Sequence, residues 1–449
     1  MRKKHLFLTP LACFLDLHRV HEVAVDLVVN RKSVPPPREG FALGWGYLDT
    51  SVKFTVSVED LRAHVLIAGS TGSGKTTTAK KLLTEVSERG YNWLLLDWHG
   101  EYQDIADTYD ALYLDPNAGD LRLNPLDRIR PCDLAEHVST LTDIFAMIFK
   151  FTPAQAFMFR EAVYKAYTES RTGLVFLSDV VKRIEDRDKI RSIWDYETKQ
   201  ALLRRLKPLT EGEAARILDG PSTVTMRMLF STRTCINLRY IASHTVKKLL
   251  MLLLLKRMYD YCLTGGRTLG AKDTFFTVIE EARAIFSRKY ELISEMLVQM
   301  VAELRKFGVS LVLISQAVSD LPLDIIRNTN LKICHALKER NDIECIASSV
   351  PMLLSQRKLL PGLPAGVALV HVAGNLSSSM VHVEMPKLRH KHRKRLLLGA
   401  PLCEVYRIVK KAYPAPSVAL YRIVSSKLGL DSELAKLAVD EVLKRIERR

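Results

Sequence analysis

Residues 69–76 read Gly-Ser-Thr-Gly-Ser-Gly-Lys-Thr. This octet fits G-x-x-x-x-G-K-[ST], the phosphate-binding P-loop. Gly69, Gly72 and Gly74, with Ser70, Thr71 and Ser73 between them, let backbone N–H groups turn inward around phosphate oxygens. Lys75 would reach the β- and γ-phosphates, and the Thr76 hydroxyl would hold Mg²⁺. The flanks supply the context the motif needs. His64-Val65-Leu66-Ile67-Ala68 is an apolar run of strand length just before it. Thr77-Thr78-Ala79-Lys80-Lys81-Leu82-Leu83 opens a helix just after it, and its N-terminus faces the anion. The alternative is a coincidental glycine-rich turn.

A P-loop enzyme also needs an acid for the Mg²⁺ shell and a group that activates the attacking water. Phe275-Phe276-Thr277-Val278-Ile279-Glu280-Glu281 is an apolar run ending in two carboxylates. Glu280 would hold Mg²⁺ through water, and Glu281 would activate the nucleophile. The same two acids would also suit the N-terminus of a helix, and both readings can hold together. The run Ser310-Leu311-Val312-Leu313-Ile314-Ser315 ends in Gln316. Ligands of parallel sheets bind beyond the strands' carboxyl ends, so Gln316 is placed to sense the γ-phosphate or orient water. A structural amide is the alternative. Arg305-Lys306 closes the helix before that strand. Arg305 is the candidate for an arginine donated to a neighbouring subunit's site, against a solvated charge at a helix end. Asp97 and Glu101, in Asp97-Trp98-His99-Gly100-Glu101-Tyr102, are acids at a strand's carboxyl edge and are expected to face the nucleotide.

These residues need a sheet to hold them. Apolar runs recur at 64–68, 92–97, 234–238, 274–280, 310–315 and 332–337, with helices expected at about 243–262 and 287–307. Strands alternating with helices predict an α/β fold with a mostly parallel central sheet. Between Pro131 and Met228 strand signals nearly vanish. Apolar residues instead recur at helical spacing, as in Leu141, Ile144, Phe145, Ile148 and Phe149, predicting a helical insertion. The expected organisation is a short β segment over 1–60, an ATPase core over 61–130 and 229–386, the insertion over 131–228, and a basic helical region over 387–449. Two short strands are expected in 41–62, and Val23–Val29 is strand-like.

The chain has 449 residues and a net charge of +16. Lys387–Arg449 carries 16 lysines and arginines against 6 acids, so most of the excess lies there. A basic end on a P-loop protein suggests a polyanionic partner, most simply nucleic acid; a solvated tail is the alternative. Three helices are expected in that region, at about 402–412, 416–428 and 432–447. They would form either a helix-turn-helix module or a brace on the body of the protein. The seven cysteines form no CxxC pair and no zinc spacing, and read as buried thiols of a reducing cytoplasm. Leu249–Leu255 is too short to span a bilayer and is bounded by lysines, so no membrane span is expected. The basic start Met1-Arg2-Lys3-Lys4 leads into an apolar stretch too short and too interrupted for a secretion signal.

The ordered set resembles one family. Arg62-Ala63-His64 leads into Gly69–Thr76; then come Asp97-Trp98-His99-Gly100-Glu101-Tyr102, Asn124-Pro125-Leu126, Ile279-Glu280-Glu281-Ala282 and Arg305-Lys306-Phe307-Gly308-Val309 before Ile314-Ser315-Gln316. This is similar to the HerA branch of the HerA/FtsK superfamily, over roughly residues 41–386. The resemblance implies a RecA-like, hexameric ATPase that translocates double-stranded DNA through a central channel, using ATP and Mg²⁺. A nuclease partner of the NurA type is implied as well. Lys75, Thr76, Glu280, Glu281 and Gln316 would take the Walker and sensor roles, and Arg305 the trans-acting arginine role. Asp97 and Glu101 match the family's acidic pair. The sequence departs from the family pattern in having Ala317-Val318 after Gln316, Glu280 as first acid, Arg283 in place of a frequent His, and about 60 residues ahead of His64 where a larger β-barrel is usual. A motor for conjugative transfer or viral genome packaging, a P-loop regulatory switch and a protein-translocating ATPase are the other readings.

Overall fold

The computed structural model describes residues 40–129, 132–171, 173–187, 192–266, 274–288, 291–388, 408–409, 417–428 and 439. The strand-like 23–29 segment and most of the basic region after 388 lie outside them. Along the chain the strands are β1 (Phe41–Gly46), β2 (Lys53–Val56), β3 (Val65–Ala68), β4 (Trp93–Asp97), β5 (Leu112–Leu114) and β6 (Thr234–Asn237), then β7 (Phe275–Ile279), β8 (Val309–Ser315), β9 (Leu331–Cys334), β10 (Val367–Val372) and β11 (Ser379–Val383). The chain forms two compact units. One comprises residues up to 90 with 281–289 and 308–387; the other comprises 91–280, 290–307 and the remainder.

In the first unit β3 lies between β8 and β9 and runs parallel to both. Its residues Val65-Leu66-Ile67-Ala68 are all fully buried. That is the pattern of a strand covered on both faces: a continuous apolar run in place of alternation. Beyond β9 the sheet turns antiparallel through β10, β11, β1 and β2. The parallel alternation in the sequence does not foretell this edge. Within it, β1–β2 and β10–β11 are joined by short connections, which permit only antiparallel neighbours. Its clearest sequence signal is Val367-Ala368-Leu369-Val370-His371-Val372, every residue of which is buried.

In the second unit β4 lies parallel between β6 and β7, and β5 extends the sheet beyond β6. Trp93-Leu94-Leu95-Leu96 is buried throughout. Among the described residues between 134 and 231 there are six α-helices and no strand. Four of the six begin at a residue whose side chain caps the first turn. The Asp133 side chain accepts from the Glu136 amide. Thr152 and Gln155 form a reciprocal box that spans Pro153, whose missing N–H costs nothing at a first helical position. Leu141, Ile144 and Phe145 turn into the core, and the Phe145 ring stacks on Phe159 at 4.8 Å between centroids. The helix His244–Leu263 buries all of Leu249–Leu255. Near the C-terminus, Ser417–Leu428 is helical and buries Leu420 and Val424, one turn apart. Among the described residues no helix is long and apolar enough to cross a membrane.

Candidate nucleotide site

The P-loop leaves β3 at Ala68 and enters the helix Lys75–Glu88 through Gly74. Gly69, Gly72 and Gly74 have φ of 154°, 77° and 117°, backbone that L side chains rarely adopt. Space is as restrictive as torsion. A Cβ on Gly69 would stand 2.5 Å from Ser73 Oγ and 2.7 Å from His335 Cβ; one on Gly74 would stand 3.0 Å from the Gly366 nitrogen. Gly72 faces open space. The loop is tied by its own chain and by its neighbours. Ser73 Oγ donates to the Ser70 carbonyl at 2.7 Å, and the Gly366 amide donates to the Ser73 carbonyl at 3.0 Å. Lys75 Nζ folds over the loop to the Ser70 carbonyl at 2.8 Å. The result is a preformed cradle closed by an ammonium at a helix N-terminus, which fits a nucleotide's phosphates with Mg²⁺ at the Thr76 hydroxyl.

The strand order puts the expected sensor against this cradle. Ser315 of β8 is level with Ala68 of β3, so Gln316 is the first residue past the edge beside Gly69. Thr71 Oγ1 donates to Gln316 Oε1 at 3.1 Å. On the other flank Cys334 of β9 is level with Ala68, so His335 stands where Gln316 stands on the first.

Glu281 caps a short 3-10 turn, Ala282–Ala284, with φ 55° and ψ 48°. A non-glycine residue in left-handed backbone costs on the order of 1 kcal/mol, and such residues gather at active sites. Its carboxylate is bound by Arg283, whose guanidinium also lies 3.8 Å from Asp320. Arg283 is the position at which this sequence departs from the family's frequent His.

In the second unit the acids at the end of β4 and β7 form a buried pair. Asp97 is fully buried. Its Oδ1 accepts from the amides of Gly100 (2.6 Å) and Glu101 (3.1 Å), and its Oδ2 from that of Tyr102 (3.1 Å). Its oxygens thus shape the 98–102 turn, where the sequence led us to expect an acid facing the nucleotide. Glu280 accepts from the His99 amide at 3.0 Å and meets the Asp97 carboxyl. Burial, and then the Asp97 charge, push Glu280 up to about 8, which disfavours its ionised form. Asp97 is raised by burial, offset in part by the three amides. Glu101 is exposed at the end of the same turn. Arg305 and Lys306 are exposed in the last turn of the helix Glu291–Lys306 and pair with no carboxylate among the described residues.

Residues 41–258 match the protein family described as Helicase HerA, central domain. A protein of Sulfurisphaera tokodaii named DNA double-strand break repair helicase HerA is 23% identical over 388 residues, 84% of this chain and 75% of that protein. The protein of the same name from Saccharolobus solfataricus is 23% identical over 326 residues, 71% of this chain but 64% of that protein, under two thirds of its length. Among solved structures, VirB4 of Thermoanaerobacter pseudethanolicus superposes with a TM-score of 0.66 at 19% identity, over 78% of this chain and 98% of that one. The bacterial conjugative coupling protein TrwBdeltaN70 gives 0.57 at 14%, over 81% and 93%. Over residues 41–258 this chain is similar to the HerA family, and its fold is that of P-loop ATPases. The two structures show the fold alone at such identities.

In this HerA-like chain the P-loop, Gln316 and Glu281 come from one unit, while Asp97, Glu101, Glu280 and Arg305 come from the other. Sequence reasoning missed His335. It falls inside the apolar run 332–337; the structure ends that strand at Cys334 and leaves His335 just past its edge, beside the P-loop strand.

Proposed function

We propose that this chain is an ATP-driven motor that translocates double-stranded DNA, working as a homo-hexameric ring in the cytoplasm. The observation that carries the reading is the contact between Gln316 and Thr71, a polar strand end touching the phosphate cradle. Such a contact lets the state of the γ-phosphate be felt by β8. In this reading the P-loop residues Gly69–Thr77 bind ATP, and Thr76 and Glu280 hold Mg²⁺, which supplies charge neutralisation at the phosphates. Glu281 takes the proton of the attacking water as the bond to the leaving ADP breaks, with Gln316 orienting that water. Arg305, exposed and without a carboxylate partner among the described residues, completes a neighbouring subunit's site. Asp97 positions Glu280 and the 98–102 turn that ends in Glu101. The helical stretch 131–228 is an insertion in a RecA-like core, and the basic region 387–449 binds the DNA backbone or braces the ring. The relatives named HerA support duplex DNA as cargo and, by family analogy, a NurA-type nuclease as partner.

The test is ATP turnover by the full chain with and without duplex DNA, together with particle sizing. Turnover stimulated by DNA in a particle of about six chains is expected, and Lys75→Ala abolishes it. Normal turnover by that variant sinks the site assignment; turnover indifferent to DNA makes the protein a switch rather than a motor.

A further inference from the structure

His335 is fully buried although it is a titratable side chain, and both of its ring nitrogens are engaged. Nδ1 lies 3.0 Å from the Val367 carbonyl oxygen, which can only accept, so Nδ1 carries the proton. Nε2 is then an acceptor in the neutral ring, and the Thr78 hydroxyl at 2.7 Å donates to it. Burial, followed by the nearby Lys75 charge, lowers the ring to about 4, so the neutral form persists at any physiological pH.

The residue lies against both ends of the phosphate cradle, with its Cβ at Gly69 and its ring at Gly74. A Cβ on Gly69 would meet His335 Cβ at 2.7 Å, and one on Gly74 would meet His335 Cε1 at 3.2 Å. The residue beside it adds a backbone tie: the Ser70 amide donates to the Ala336 carbonyl at 2.8 Å. Thr78 is on the first turn of the P-loop helix, where its own amide donates to Gly74 at 3.0 Å. His335 thus fills the floor under Gly69 with its Cβ and under Gly74 with its ring, and the ring is bonded to the helix that follows.

We infer that His335 is a positioning residue for the phosphate cradle, holding loop and helix in their binding geometry through Thr78 and the two glycines. It acts on the flank opposite Gln316. This inference rests on the reading of 69–76 as a nucleotide site, and goes beyond it by assigning a residue outside the motif to the binding step.

The experiment measures binding of a fluorescent ATP analogue with Mg²⁺ to the full chain. It compares wild type with Thr78→Val, His335→Gln, His335→Ala, the Thr78→Val/His335→Ala double variant and Lys75→Ala, each checked by melting temperature. Thr78→Val keeps shape and deletes only the hydroxyl. We expect affinity to fall about threefold to tenfold in Thr78→Val and more than tenfold in His335→Ala, with partial rescue in His335→Gln. The double variant should bind no worse than His335→Ala, because both changes break one link. If Thr78→Val binds within twofold of wild type while Lys75→Ala has lost binding, the inference is overturned and the nucleotide site stands. That arm decides the matter even where His335→Ala fails to fold. If wild type itself does not bind, the site reading and this inference fall together.

Discussion

Three side chains set how the site should respond to mutation, and each is constrained differently. Glu281 combines a carboxylate bound by Arg283 with left-handed backbone. Glu281→Gln should lower kcat by at least about a hundredfold while leaving nucleotide affinity within a few fold, since it removes a proton acceptor and no phosphate contact. Glu281→Gly should be just as inactive yet melt higher, by up to about 1 kcal/mol of stability, because glycine relieves the strained φ. A Glu281→Gln enzyme with normal turnover would assign the base elsewhere. Glu280 behaves oppositely to most surface acids. Its pKa is raised in the folded state, to about 8, so the fold binds more protons than the unfolded chain between the ordinary carboxylate range and pH 8. Stability therefore falls as pH rises through that window. In Mg²⁺-free buffer at pH 8.5, Glu280→Gln should melt above wild type; a lower melting point would show that its pKa is not raised. His335 shifts downward, to about 4, and His137 to about 3, so each stabilises fully above the unfolded histidine value near 6.5 and loses that contribution as pH falls toward its folded pKa. Thermal melts between pH 7 and pH 4 should show this acid loss.

At the scale of elements, the helical stretch after Asp133 depends on packing more than on propensity. Phe145 is fully buried against Phe159, with Leu141 and Ile144 beside it on the same helix. Phe145→Ala should cost about 3–5 kcal/mol, read as a shift in denaturant midpoint. A cost below about 1 kcal/mol would mean that the face is not core. The helices could be read in advance because the 3.6-residue spacing of large apolar residues is a local property. The same locality explains the strands that were visible: β3, β4, β7 and β8 are continuous apolar runs because both faces are covered. β5 escaped notice, having only three residues. β10 and β11 escaped because nothing in a strand's own sequence states which neighbour it pairs with or in which direction. Their antiparallel joining to β9 and β1 is settled by hydrogen bonds to distant segments.

For the whole molecule, charge is the property that governs partners. The excess of +16 concentrates after residue 386. Removing 387–449 should weaken duplex binding and flatten its dependence on salt, because fewer phosphate counterions are released. Unchanged affinity at low salt would make that region a brace. The helix Ser417–Leu428, with Leu420 and Val424 buried, already shows that part of the region is packed and not a solvated tail.

Order and spacing along the chain carried the candidate chemistry of this protein: a P-loop motif at 69–76, paired acids at 280–281, a polar strand end at 316, and the resemblance to the HerA family. Those features are legible because a phosphate cradle needs glycine, lysine and threonine at fixed separations within one loop. What only the tertiary structure decided is what the loop rests on. Its floor is His335, some 260 residues away, made a neighbour of Gly69 by the parallel pairing of β3 with β9. The structure alone also revealed that Asp97 is consumed by its own turn, with Glu280 buried beside it and its pKa pushed upward. Burial and hydrogen-bond partners are properties of the folded neighbourhood, and a linear sequence carries no distance between residues far apart in the chain.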